Sequence, residues 1–220
     1  MKYTVDIHGE INEQLIDDVV LKLRSIYDYN EYQLDTFVSP MELYEEIELD
    51  IDTPGGLVTG FMQIRKEVDK LKNQGVEVNT FVSGTAYSCG FLLTLLGTKR
   101  DSDELGSFLY HRGGCQLGYD KVDSNARFLE HQKTILDKVD NFIIENTNIE
   151  EETLLKYRDI DWYLNKDEAI ELGVLTDPNK KHELPTITLE QCIESYETAG
   201  YKVIKEEIKD KSKKAKKKAE

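Results

Sequence analysis

The sequence predicts an α/β protein, with a largely parallel sheet flanked by helices. Three observations carry that prediction. Short β-rich stretches alternate along the chain with longer segments of helical period. A turn poor in side chains, "DTPGG" (52–56), joins one such strand directly to a helix rather than to a second strand. The 220 residues are 39% hydrophobic and 32% charged, enough for one sizeable core.

Each element follows from its own pattern. "YTVDIHGEI" (3–11) alternates apolar and polar residues and reads as a strand. Over 11–29, Leu15, Val19, Leu21, Leu23 and Ile26 recur near a helical period. Residues 30–44, with Pro40, break that pattern and read as a surface excursion. "EIELDID" (46–52) is a second strand, and 57–74 a second helix that ends near Gly75. "VEVNTFVSG" (76–84) is a third strand, followed by a buried helix in "YSCGFLLTLLGT" (87–98). "SFLYH" (107–111) is a fourth strand, and "GGCQLGYD" after it is a loose, Gly-rich segment. Residues 121–147 form a long helix carrying Phe128, Ile135, Val139, Phe142 and Ile143. A short helix around "EEETLLKYRD", a break at "DWYLN" and a helix in "KDEAIELG" complete the series. No internal repeat is present.

Charge narrows the function. The chain carries −15, yet nine lysines against four acids between Tyr201 and Glu220 leave −20 on the other 200 residues. An acidic body excludes nucleic-acid binding through its surface. The run "KDKSKKAKKKAE" reads as a solvated end, disordered or helical. No run of 18 apolar residues exists to span a membrane, and "MKYTVDIHGE" has no signal-peptide core. Cys89, Cys115 and Cys192 are few and odd in number, which suits a reducing cytoplasm.

The chemistry concentrates where strands end. Ser88 lies among small residues in "GTAYSCG" (84–90), between a strand and a buried helix. A serine there is ordinarily a helix cap. The alternative is a nucleophile at the inner end of a rigid element, where free N–H groups favour negative charge. Of the four histidines, His111 alone ends a strand, at the mouth where ligands collect in α/β sheets. Asp161, in the break beside Trp162 and Tyr163, is either a carboxylate that orients an imidazole or another cap. Acyl transfer needs two convergent N–H donors for its oxyanion. Gly56 in the bare turn and Cys89, after the serine, are placed to supply them. A turn needing positive φ also accounts for the glycines.

Four stretches in order, "DIDTPGGLVTG", "GTAYSCGFLLTLLGTKR", "SFLYHRGG" and "DWYLNKDEAIELGVLTD", resemble the Clp protease proteolytic subunit family. These are serine peptidases of the Clp/crotonase superfold, and the resemblance runs from about Tyr3 to Asp177. It implies a fold of repeated β-β-α units with a mostly parallel sheet and a handle helix. It implies Ser88 as nucleophile, His111 as general base and Asp161 as orienting carboxylate, with the Gly56 and Cys89 amides as oxyanion hole. Gly113 and Gly114 would open the segment that holds an extended substrate strand. No metal and no cofactor are implied. Partners implied are further copies of the chain in a homo-oligomeric ring, single or stacked, and a peptide or protein substrate. An AAA+ unfoldase is left open, because the chain starts almost at the first strand, without the family's axial segment. The expected organisation is a peptidase domain over 1–177, a C-terminal extension over 178–200 and the Lys-rich tail over 201–220. Ile160 stands where the family has an arginine that pairs rings. Shortened, divergent members include phage peptidases that mature capsids. Two other readings stay open: a catalytically silent scaffold relative, and a crotonase-like acyl-CoA enzyme.

Overall fold

Parallel strands with one apolar and one polar face order the structure, a computed structural model that describes residues 1–36, 42–114 and 122–178. β1 (Lys2–His8), β2 (Glu46–Thr53) and β3 (Glu77–Tyr87) pair in parallel. β3 continues the sheet on its other side, first with β4 (Arg100–Ser102) and then with β5 (Ser107–Tyr110), both parallel. β6 (Trp162–Leu164) closes that edge antiparallel to β5, giving the order β1-β2-β3-β5-β6. Alternation decides which face is covered. Val5, Ile7, Ile47, Leu49, Ile51, Val78 and Val82 point inward and are buried. Thr4, Asp6, Glu48 and Asp50 occupy the alternate positions.

Two helices supply much of the matching apolar surface. α1 (Glu13–Thr36) contributes Ile16, Val19, Leu23 and Ile26, and α2 (Val58–Asn73) contributes Phe61, Ile64, Val68 and Leu71. Each such side chain contributes about 1.5–3 kcal/mol on full burial. α3 (Cys89–Thr94) is buried along its whole length. α4 (Val122–Asn146), α5 (Glu151–Lys156) and α6 (Lys166–Glu171) follow. The first compact unit spans Met1–Pro178. The expected extension and Lys-rich tail lie beyond it, outside the described residues.

Four departures from the sequence reading have physical reasons. α1 does not stop at 29 but runs to Thr36, through much of the expected excursion. Asn30 looks like a breaker, yet it is only 2% exposed. Its amide is satisfied by both the carbonyl and the N–H of Tyr44, each at 2.9 Å. Leu21, expected inside, is 65% exposed, and Ile16 and Val20 fill the inner face instead. β4 and β6, three residues each, are too short for periodicity to reveal. The stripe expected along the long helix divides: Phe142 and Ile143 are buried, whereas Phe128 is 41% exposed.

Candidate active site

Three adjacent strands end at one place, and each delivers part of the site. β3 ends at Tyr87 and hands over to Ser88, whose N–H donates to the Leu109 carbonyl of β5 at 2.9 Å. Ser88 has φ 55° and ψ −114°, the only positive φ outside glycine among the described residues. Such a conformation costs about 1–3 kcal/mol and persists only where the surroundings impose it. Its hydroxyl does not cap α3. It lies 2.7 Å from Nε2 of His111, the residue that follows β5. The capping alternative for Ser88 is therefore set aside by the geometry.

Asp161 arrives by a different route. Because β6 runs antiparallel to β5, Trp162 pairs with Tyr110. The residue before β6 is thereby set beside the residue after β5, and Asp161 Oδ1 stands 3.7 Å from His111 Nδ1. That is ion-pair range but longer than a hydrogen bond, and the Asp161 side chain is 55% exposed. Trp162 is fixed by stacking on Tyr157, with ring centroids 4.1 Å apart.

The glycine pair reaches the same point from β2. Thr53, fully buried, donates from its hydroxyl to the Gly9 carbonyl at 2.5 Å and accepts from the Gly55 N–H at 3.0 Å. Gly55 has φ +97°, and a Cβ there would fall 2.6 Å from Ser88 Cβ and 3.2 Å from Cys89 N. Gly55 is thus the position that must lack a side chain for the two turns to meet. Gly56 has φ +149°, and a Cβ on it would collide with the Ile11 backbone. Its neighbours hold that bridge, with Ile11 N–H donating to Gly55 O and Leu57 N–H to Ile11 O. The N–H of Gly56 has no acceptor among the described residues, and neither has that of Cys89 at the head of α3. Cys89 Sγ donates to the Gly56 carbonyl at 3.2 Å. Burial pushes its thiol up to about 11, so it stays neutral and is no rival nucleophile. Gly113 and Gly114 follow Arg112 in irregular backbone; Gly113 borders the pocket beside Ser88, and no atom of the described residues lies within 4 Å of where a Gly114 Cβ would stand.

The sequence singled out Ser88, His111, Asp161, Gly56 and Cys89, and the fold brings all five together. Thr53, Gly55 and Asp52 were missed. Asp52 Oδ1 accepts from the N–H and the hydroxyl of Thr85, at 2.9 and 3.0 Å, where the β2–β3 register slips. Only the glycine at 55 left a readable signal. The acids and hydroxyls of a β-rich segment look alike until the register is known.

A hydroxyl, an imidazole and a carboxylate aligned at the carboxyl ends of a parallel sheet form the constellation of serine-type hydrolases. Comparison of sequences narrows this to one family. Residues 4–177 match the sequence profile described as Clp protease, and the chain belongs to the Clp protease family. That is a family of peptidases whose members typically form homo-oligomeric rings and work with unfoldases. A similar protein is the ATP-dependent Clp protease proteolytic subunit of Dehalococcoides mccartyi. It is 24% identical over 179 residues, which cover 80% of each chain.

Proposed function

We propose that this protein is a serine endopeptidase that cleaves peptide bonds inside an assembly of its own copies. The observation that carries the proposal is the 2.7 Å contact between Ser88 Oγ and His111 Nε2, made by a serine held in strained backbone. His111 takes the hydroxyl proton as Ser88 Oγ attacks the scissile carbonyl. The carbonyl oxygen becomes an oxyanion facing the unpaired N–H groups of Gly56 and Cys89. As the C–N bond breaks, His111 returns the proton to the leaving amine, and Ser88 is left acylated. Water, deprotonated by His111, then releases the acid and restores the hydroxyl. Asp161 orients the imidazole and stabilises its charged form. The backbone at Gly113 and Gly114 lies along the path of an extended substrate.

The test is hydrolysis of an unstructured fluorogenic peptide by wild type and by Ser88→Ala. The wild type should cleave it. The variant should retain its fold by circular dichroism and lose activity by several orders of magnitude. Equal rates in the two proteins would refute the assignment of Ser88.

A further inference from the structure

The peptidase reading leaves open which side chains the site accepts. We propose that the pocket beside Ser88 admits only a small uncharged side chain ahead of the scissile bond, and that Arg112 keeps it small by tying α4 to the end of β5. This inference rests on the function proposed above.

The pocket is lined by Ser88 and His111 together with the apolar side chains of Val58, Leu92, Leu136 and Val139. Its open volume is only about 30 Å³. A single water needs about 10–15 Å³ of such space, so about two or three waters fill it. A methyl group fits; an isobutyl or benzyl group does not. The walls have no slack. A Cβ added at Gly113 would lie 3.3 Å from Leu136 Cδ2 and 4.0 Å from Val58 Cγ2.

The wall formed by α4 is anchored by charge. Arg112 directly follows His111 and is 11% exposed. Its Nη2 pairs with Asp137 and lies 3.5 Å from Asp140 Oδ2, one turn further along α4. Asp140 also accepts from the Tyr110 hydroxyl at 3.0 Å. Burial, with Asp140 adding to it, raises the Tyr110 phenol far above its usual range, so it remains a neutral donor. One guanidinium faces two carboxylates, so the charge at the pocket disfavours an acidic substrate side chain, and its size excludes lysine and arginine. Without Arg112 the two α4 carboxylates would face each other uncompensated, and the helix would lose its tie to the strand that carries His111.

The test uses the full-length protein and a series of diphenyl phosphonates bearing the side chains of glycine, alanine, leucine and phenylalanine. These esters phosphonylate an activated serine, and their inactivation constants compare side chains directly. The alanine ester should react at least about tenfold faster than the leucine ester, since even one methylene in such a pocket is worth about 10–200-fold. Leu136→Ala, which enlarges the pocket without touching the ion pairs, should raise the leucine-to-alanine ratio about tenfold or more. Asp140→Asn, which keeps size but halves the charge facing Arg112, should raise it too. A leucine or phenylalanine ester that reacts with wild type as fast as alanine overturns this inference while the peptidase reading stands. A ratio that moves in Leu136→Ala but not in Asp140→Asn overturns the role of Arg112. No reaction with any ester overturns the inference together with the function it rests on.

Discussion

Ser88 shows how much one residue's environment must supply. A strained φ of 55°, an N–H tied to Leu109 and a hydroxyl 2.7 Å from His111 direct its side chain at the imidazole rather than at the head of α3. Gly55 makes that position possible, and it yields the first prediction. Gly55→Ala combines a φ of +97° with a collision against Ser88 Cβ. It should lower stability by about 1–3 kcal/mol and abolish peptide cleavage, read by thermal melting and by active-site titration. Asp161 gives the second. At 3.7 Å and 55% exposed, it orients the imidazole less firmly than a buried, hydrogen-bonded carboxylate would. Asp161→Asn should therefore reduce kcat less than His111→Ala does. Neither loss should add to that of Ser88→Ala, because the three act as one unit. An Asp161→Asn loss as deep as that of His111→Ala would show that the carboxylate is held more tightly in the working enzyme. These residues were readable in the sequence because small residues and strand ends mark them. The function of Gly55 as the close-contact position, and of Thr53 behind it, was not, since both depend on which turn packs on which.

At the scale of elements, the sheet was legible where strands are long and alternate. β1, β2 and β3 were expected close to where they stand. β6 was expected as a break, and its antiparallel course explains why Asp161 reaches His111 across a long stretch of chain. Three residues carry too little pattern to reveal such a pairing. α1 and α2 lock together through a polar contact that the hydrophobic pattern concealed. Glu67 on α2 is 2% exposed and accepts from Arg24 at 3.0 Å and from Lys70 at 2.8 Å. Burial raises its carboxyl, but the bonds from Lys70 and Arg24 outweigh burial and hold it below the ordinary carboxylate range. A folded pKa below the unfolded one stabilises the protein at neutral pH, and that stabilisation is lost as pH falls through the folded value. Glu67→Gln should thus destabilise by about 1–3 kcal/mol at pH 7. The difference between variant and wild type should shrink on acidification, as measured by denaturant melts across pH. A difference that is constant with pH would assign the effect to packing alone.

For the whole molecule, the exposed apolar residues point to assembly. Ile160, just before Asp161, is 57% exposed, Tyr163 on the edge strand β6 is 58% exposed, and Phe128 and Leu129 on α4 are 41% and 43% exposed. Family members typically form rings, and a neighbouring copy covering β6 would take water away from Asp161 and strengthen its hold on His111. Activity per subunit should rise with protein concentration in step with the assembled fraction, measured by sedimentation velocity. Ile160→Asp, which cannot disturb the core from so exposed a position, should weaken assembly and cleavage together. Full specific activity in a dilute monomer would contradict this. Ile160 was legible as a departure from the family pattern; that it borders Asp161 as an open apolar surface was visible only in the fold.

The central claim, that Ser88 is a nucleophile activated by His111, is tested most directly by covalent labelling. Intact-mass measurement after reaction with a fluorophosphonate should show one adduct per subunit, and fragmentation should place it on Ser88. Labelling should vanish in Ser88→Ala and slow by orders of magnitude in His111→Ala. An adduct on any other residue, or labelling of His111→Ala at the wild-type rate, would contradict the account.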